Sequence, residues 1–160
     1  MSAEQEIPLE FSRLRPPLSV VDADRLAKMH LAQLPGRILP LLGQKYLRAF
    51  YRHVVKSTRE QAFVARTSGV IVGLCIVTED WPTVLRRMVV ATLPSFLWAA
   101  VPQFVACSQF RRACLAVLRS GTRASVSPLI CMLFTAPEMT GRGVGGRLLN
   151  YVAENLGDTE

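Results

Sequence analysis

Cysteine and histidine are scarce in this chain, charged tracts are missing, and no apolar leader opens it. Of 160 residues, four are Cys and two are His. Cys75, Cys107, Cys114 and Cys131 lie in apolar surroundings with no Cys-x-x-Cys and no paired His spacing. That pattern argues against a metal site and for reduced thiols packed as small hydrophobes. His30 sits between Met29 and Leu31, and His53 follows Tyr51 and Arg52; a lone His on a helix reads as structural rather than as a ligand or base. The start, Met1-Ser2-Ala3-Glu4-Gln5-Glu6, is acidic and has no apolar core. It looks neither secretory nor mitochondrial, so the expected location is cytoplasmic.

One domain, residues 1–160, fits the length, and a chain of this size can bury a substantial core. Half the residues are hydrophobic, and no block is compositionally disordered. The formal charge of +7 comes from 19 Lys and Arg against 12 acids. Such a field suits a cofactor with several phosphates, a nucleic acid or an anionic membrane surface. The arginines are scattered or doubled rather than gathered, and no nucleic-acid motif is present, so nucleic acid is not an expected partner.

The informative stretch is near the end. An apolar run, Leu129-Ile130-Cys131-Met132-Leu133-Phe134, leads through Thr135-Ala136-Pro137-Glu138-Met139 into Thr140-Gly141-Arg142-Gly143-Val144-Gly145-Gly146-Arg147. The short apolar run reads as a strand; Val144, Leu148, Val152 and Leu156, spaced by four, read as one face of a helix with a stop at Gly157. A glycine loop opening a helix lets backbone approach a ligand and offers unpaired N–H groups at the positive end of a dipole. It is a phosphate cradle, and Arg142 and Arg147 add charge able to meet phosphate oxygens bidentately. A glycine turn that only starts a helix gives the same pattern. A Rossmann-type unit would place its fingerprint early and an acid about 20 residues on, and this sequence ends first.

Upstream, residues 7–14 alternate apolar and polar as a half-buried strand, closed by Arg15-Pro16-Pro17. Ser19 and Asp22 have capping spacing for a helix with Leu26, Met29 and His30 on one face; Leu34-Pro35-Gly36 breaks it. Leu39, Leu42, Tyr46, Leu47, Phe50 and Val54 mark one strongly amphipathic helix. Residues 61–65 and 70–78, separated by Arg66-Thr67-Ser68-Gly69, read as a β-hairpin.

With this order the 129–147 segment resembles the signature of the GNAT acetyltransferase superfamily, a strand ending Val-x-Pro followed by Arg/Gln-x-x-Gly-x-Gly/Ala and a helix. Here it reads Thr135-Ala136-Pro137, then Thr140-Gly141-Arg142-Gly143-Val144-Gly145, with Thr140 in place of the usual Arg or Gln. The stretch from His30 to Gly36, with Leu42-Gly43 and residues 46–51, also looks like a GNAT branch of unassigned substrate, in which the helical pair borders the acceptor site. The resemblance implies an α/β (α+β) fold of order βααββ, helical insertion, βα, with a mixed central sheet flanked by helices. It implies acetyl-CoA as acyl-donor cosubstrate, main-chain contacts to the cofactor arm at Leu133 and Thr135, and pyrophosphate contacts at Thr140, Gly141, Arg142, Gly143, Val144, Gly145 and Gly146.

Two departures from the family stand out. Residues 81–127 form an apolar insertion expected to fold as two or three short helices packed on the domain, with Trp98, Phe96 and Phe104 as packing residues. Residues 88–107 carry no charge and match a membrane span in length, yet Pro94 and Pro102 interrupt them, and arginine doublets flank both sides. Peripheral contact with an anionic membrane or a protein through residues 81–118 remains open. The second departure is the end: the family continues with another strand and helix, so a C-terminally truncated domain is expected, lacking one wall of the acyl groove and the tyrosine that often protonates the leaving thiolate. Tyr46, Tyr51 and Tyr151 are not assigned that role.

The signature strand carries no acid, and the conceivable bases Glu60, Glu79 and Asp80 read more readily as ordinary surface acids. The leading expectation is an acetyl-CoA-dependent N-acetyltransferase acting on a primary amine of unknown acceptor, with catalytic residues unknown and no metal. The alternatives are a non-catalytic acyl-CoA-binding or partner-binding module and a small membrane-associated protein; homo-oligomerisation is open.

Overall fold

A computed structural model describes residues 7–79, 81–119 and 129–156. Four strands make one antiparallel sheet in chain order: β1 (Glu10–Arg13), β2 (Glu60–Thr67), β3 (Val70–Thr78) and β4 (Leu129–Thr135). The β2–β3 turn places Ser68 at φ 48° and Gly69 at φ 77°, the left-handed pair that a two-residue hairpin favours because its twist matches the strands. β1 is shorter than the alternation over 7–14 suggests, although Leu14 N still donates to Ala62 O at 2.7 Å.

Helix α1 (Val20–Gln33) starts at Ser19, whose hydroxyl accepts from Asp22 N at 2.9 Å. Leu26, Met29 and His30 are buried on one face, as their spacing requires. The helix expected from residue 39 onward is divided into α2 (Ile38–Leu41) and α3 (Gly43–Lys56). Gly43 at φ 84° re-aims the chain between them, a conformation that costs glycine nothing. The apolar spacing carries through the break because Leu39 and Leu42 still face the core that receives Tyr46, Leu47, Phe50 and Val54.

Side chains alternate across the sheet, and the two faces are covered differently. On one face, α1 and α3 lie over Phe134 and Met132: the rings of His30 and Phe134 are 5.5 Å apart, and the Tyr51 hydroxyl is 3.6 Å from Met132 Sδ. On the other face, α7 (Val144–Asn155) packs through Val144, Leu148 and Val152, and Tyr151 meets Phe63 edge to face at 6.3 Å. Gly73 makes this close approach feasible, since a Cβ there would lie 3.4 Å from both Leu148 Cδ2 and Val144 Cγ1. The proposed stop at Gly157 lies outside the described residues.

Among the described residues between β3 and β4 run three helices, α4 (Trp81–Ala91), α5 (Leu93–Ala106) and α6 (Ser108–Arg119), where two or three are expected. The breaks fall at Thr92 and Cys107 rather than at the prolines. Pro94 occupies the first turn of α5, where its missing N–H costs no ladder bond, and Pro102 lies inside the helix without ending it. Phe96 packs against Tyr46 at 5.9 Å, as expected. Trp98 and Phe104 do not: they are 80% and 53% exposed, because the stripe turned to the core runs through Phe96 and Ala100. Among the described residues no helix is long and apolar enough to cross a membrane. The four cysteines are free thiols, with Cys75 in the core and the other three half-buried.

Candidate functional site

The end of β4 and the start of α7 converge. After Thr135 the chain makes a single turn, Pro137–Met139, and reaches a loop in which Gly141 and Gly143 have φ 79° and 70°. A Cβ would be strained at both positions, so the loop conformation depends on these glycines. Gly143 immediately precedes α7, and the main-chain bond at the junction runs from Arg147 N to Gly143 O at 3.1 Å. The N–H groups of Val144, Gly145 and Gly146 therefore precede the helical ladder and lie at the positive end of its dipole. A Cβ on Gly146 would meet nothing within 4 Å, and one on Gly145 would be 3.7 Å from Thr135 Cγ2, so the helix start abuts the strand end.

β4 is the last strand of the sheet among the described residues. In an antiparallel ladder the residues that exchange hydrogen bonds alternate with those that do not. Ala136 N donates to Val72 O at 2.8 Å, and the register pairs Phe134 with Leu74 and Met132 with Ile76. Those three residues turn their main chain toward β3, whereas the N–H and C=O groups of Leu133 and Thr135 turn to the open edge. The register then slips between Ile76 and Val77, leaving Cys131 as an extra residue on β4. Such a bulge bends the strand and changes its twist.

Charge near the loop is partly committed. Arg147 Nη1 donates to Ile7 O at 3.4 Å and its guanidinium lies 5.9 Å from the Phe11 ring, so this side chain leans toward β1. The bidentate phosphate role expected of both arginines thus fits the exposed Arg142 better. Glu138 pairs with Arg25, which holds its carboxyl below the usual range, while Arg25 Nε also donates to Ile71 O at 3.0 Å. Gln33, the last residue of α1, donates to Thr140 Oγ1 at 3.4 Å. The end of the first helix thereby reaches the glycine loop, a contact that no spacing along the sequence announces.

The titratable candidates separate clearly. Glu79 is exposed, and Asp80 lies outside the described residues. Glu60 is not the surface acid expected: it is 4% exposed, pairs with Arg87 and accepts a hydrogen bond from Ser57. A buried carboxylate needs such partners, and the doublet Arg86-Arg87 was the available sign of one. Tyr46 is buried and receives a 3.2 Å hydrogen bond from the Thr92 hydroxyl; Tyr51 is buried against His30; Tyr151 stacks on Phe11 at 5.5 Å. Burial lowers His30 to about 4 and raises the thiol of Cys131 to about 12, so at neutral pH the imidazole is uncharged and the thiol is protonated. No described group of His, Cys, Asp and Glu could hold a metal ion.

No family model and no curated protein matches the sequence. Solved structures do. An aminoglycoside N-acetyltransferase, AAC(6')-Iy in complex with CoA, aligns at TM-score 0.51 and 13% identity over 99% of this chain and 81% of its own. AAC(6')-Iy in complex with the bisubstrate analogue CoA-S-monomethyl-acetylneamine aligns at 0.50 and 12% over 92% and 70%. At 0.47 and 14%, a ribosomal-protein-alanine N-acetyltransferase from Brucella melitensis biovar Abortus 2308 aligns over 92% and 71%. At these identities the likeness is one of fold, and the fold of this chain is that of the GNAT N-acetyltransferases.

Proposed function

We propose that this chain is an acetyl-CoA-dependent N-acetyltransferase acting on a primary amine. One observation carries the reading: the open main-chain groups of Leu133 and Thr135 on β4 lie beside a helix start shaped by Gly141 and Gly143. An extended pantetheine arm needs main-chain partners along a strand edge, and a pyrophosphate needs N–H groups at a helix start. The site supplies both in adjacent positions. The bound CoA and CoA analogue in the two AAC(6')-Iy structures support the donor. In this reading Thr140, Gly141, Arg142, Gly143, Val144, Gly145 and Gly146 surround the pyrophosphate, and the reaction is cytoplasmic.

The chemistry is direct transfer. A neutral amine attacks the thioester carbonyl, a C–N bond forms, the C–S bond breaks, and CoA leaves as its thiolate while the new amide loses a proton. An N–H on the open edge of β4 is suited to receive the developing oxyanion, because such a donor is fixed before reaction. A second reading, an acyl-CoA-binding module without turnover, is favoured by one feature: Glu60 is committed to Arg87, and β4 carries no carboxylate. Thiol release from acetyl-CoA over a panel of amines, sugars and peptides separates the two. Amine-dependent release supports transfer; cofactor binding with only background hydrolysis supports the module.

A further inference from the structure

Helix α5 has two apolar faces but only one is covered. Phe96 and Ala100 turn inward, while Leu97, Trp98, Val101, Phe104 and Val105 recur at three- and four-residue spacing on the outside. All five are at least half exposed, and Val105 reaches 76%. A helix apolar on every side is ordinarily buried, so the outer stripe calls for a covering phase.

The surrounding charge indicates what that phase is. The chain contains no Asp or Glu between Asp80 and Glu138, yet Arg86, Arg111 and Arg112 flank α5 in sequence, with Arg87 beside them held by Glu60. Lys45 Nζ lies 5.2 Å over the Trp98 ring, and Arg111 Nη1 donates to Phe104 O at 3.0 Å and to Val105 O at 2.9 Å. Cations thus stand beside the stripe near its middle and at its C-terminal end. A second copy docked here about a two-fold axis would bring these basic groups together, and this segment holds no acid to pair with them. With 14 residues, α5 is too short to cross a bilayer. Apolar residues flanked by Trp and by cations suit a helix lying in the plane of an anionic interface. We propose that the outer face of α5 docks the protein on an anionic lipid surface.

The test uses the full chain with vesicles of phosphatidylcholine containing about one third phosphatidylglycerol, against vesicles of phosphatidylcholine alone. A Trp81→Phe background leaves Trp98 as the reporting indole. The protein should sediment with the anionic vesicles and Trp98 emission should shift to the blue, with binding weakened by salt and on neutral vesicles. The double variant Val101→Asp, Val105→Asp should lose roughly tenfold or more in binding at unchanged melting temperature, because both side chains face solvent. A milder pair, Val101→Ser with Val105→Ser, guards against misfolding and should weaken binding in the same direction. Absence of vesicle binding overturns the proposal, as does binding that both pairs of substitutions leave intact. A dimer in sedimentation equilibrium that dissociates on these substitutions, without lipid binding, would assign the face to a second copy instead.

Discussion

His30 Nδ1 lies 2.6 Å from the Tyr51 hydroxyl, joining α1 to α3 in the layer that covers Met132 and Phe134 of β4. Both side chains are essentially inaccessible to solvent. The bond gives the buried imidazole a partner, while the Tyr51 hydroxyl also reaches Met132 Sδ, and the same burial depresses the imidazole to about 4 from 6.5.

The depressed His30 gives a pH dependence of known sign. Between about 6.5 and about 4 the unfolded chain binds a proton that the folded chain does not, so stability is fully present above 6.5 and falls as the pH drops through that window. At about 1.4 kcal/mol per unit over this window the contribution is about 3.5 kcal/mol. Urea titrations from pH 7 to pH 4 should show this loss, and His30→Asn should flatten the slope in that window. An unchanged slope in the variant would place the acid sensitivity elsewhere.

Breaking the Glu60–Arg87 pair should be costly from one side. Glu60 is 4% exposed, so Arg87→Met leaves a carboxylate buried without its main counter-ion. A loss of about 3–5 kcal/mol is expected from denaturant unfolding, with part of it recovered in the Glu60→Gln, Arg87→Met double variant. Equal destabilisation by the single and double variants would show that Arg87 matters through packing instead.

Gly73 links the sheet to the loop. A Cβ there would lie 3.3 Å from Ala65 Cβ and 3.4 Å from two side chains of α7, so Gly73→Val must push α7 away from β3. Overpacking of this kind typically costs about 1–3 kcal/mol. Since α7 begins at the glycine loop, cofactor affinity should fall together with melting temperature. Loss of stability with unchanged affinity would mean that the loop holds its shape independently of the helix.

Much of this arrangement is legible along the sequence because it is local. The period-four face of Val144, Leu148 and Val152, the Ser19 cap and the Ser68-Gly69 turn each express a rule spanning a few residues. The glycine loop is legible for the same reason. What escapes is set by distant partners: Glu60 reads as a surface acid until Arg87 comes across from α4, and Gln33 gives no sign of reaching Thr140. Trp98 and Phe104 fail differently. Apolar character gives no direction, and only the packing of Phe96 on Tyr46 decides which side of α5 turns inward.

Glycines in the loop should separate conformation from contact. Gly143 has φ 70°, so Gly143→Val strains the backbone and should lower stability and affinity together, by about 1–3 kcal/mol in stability.

Gly146 isolates the central claim, since a Cβ there meets nothing from the rest of the fold within 4 Å and valine is a better helix former than glycine. The decisive measurement is calorimetric titration of acetyl-CoA into the native chain and into Gly146→Val, with melting temperatures recorded for both. The account predicts binding to the native chain and a loss of at least roughly tenfold in the variant at equal or higher melting temperature, because the added methyls occupy the approach to the Val144, Gly145 and Gly146 N–H groups. Equal affinity in the two proteins, or no binding to either, would contradict it and reduce the loop to a helix start.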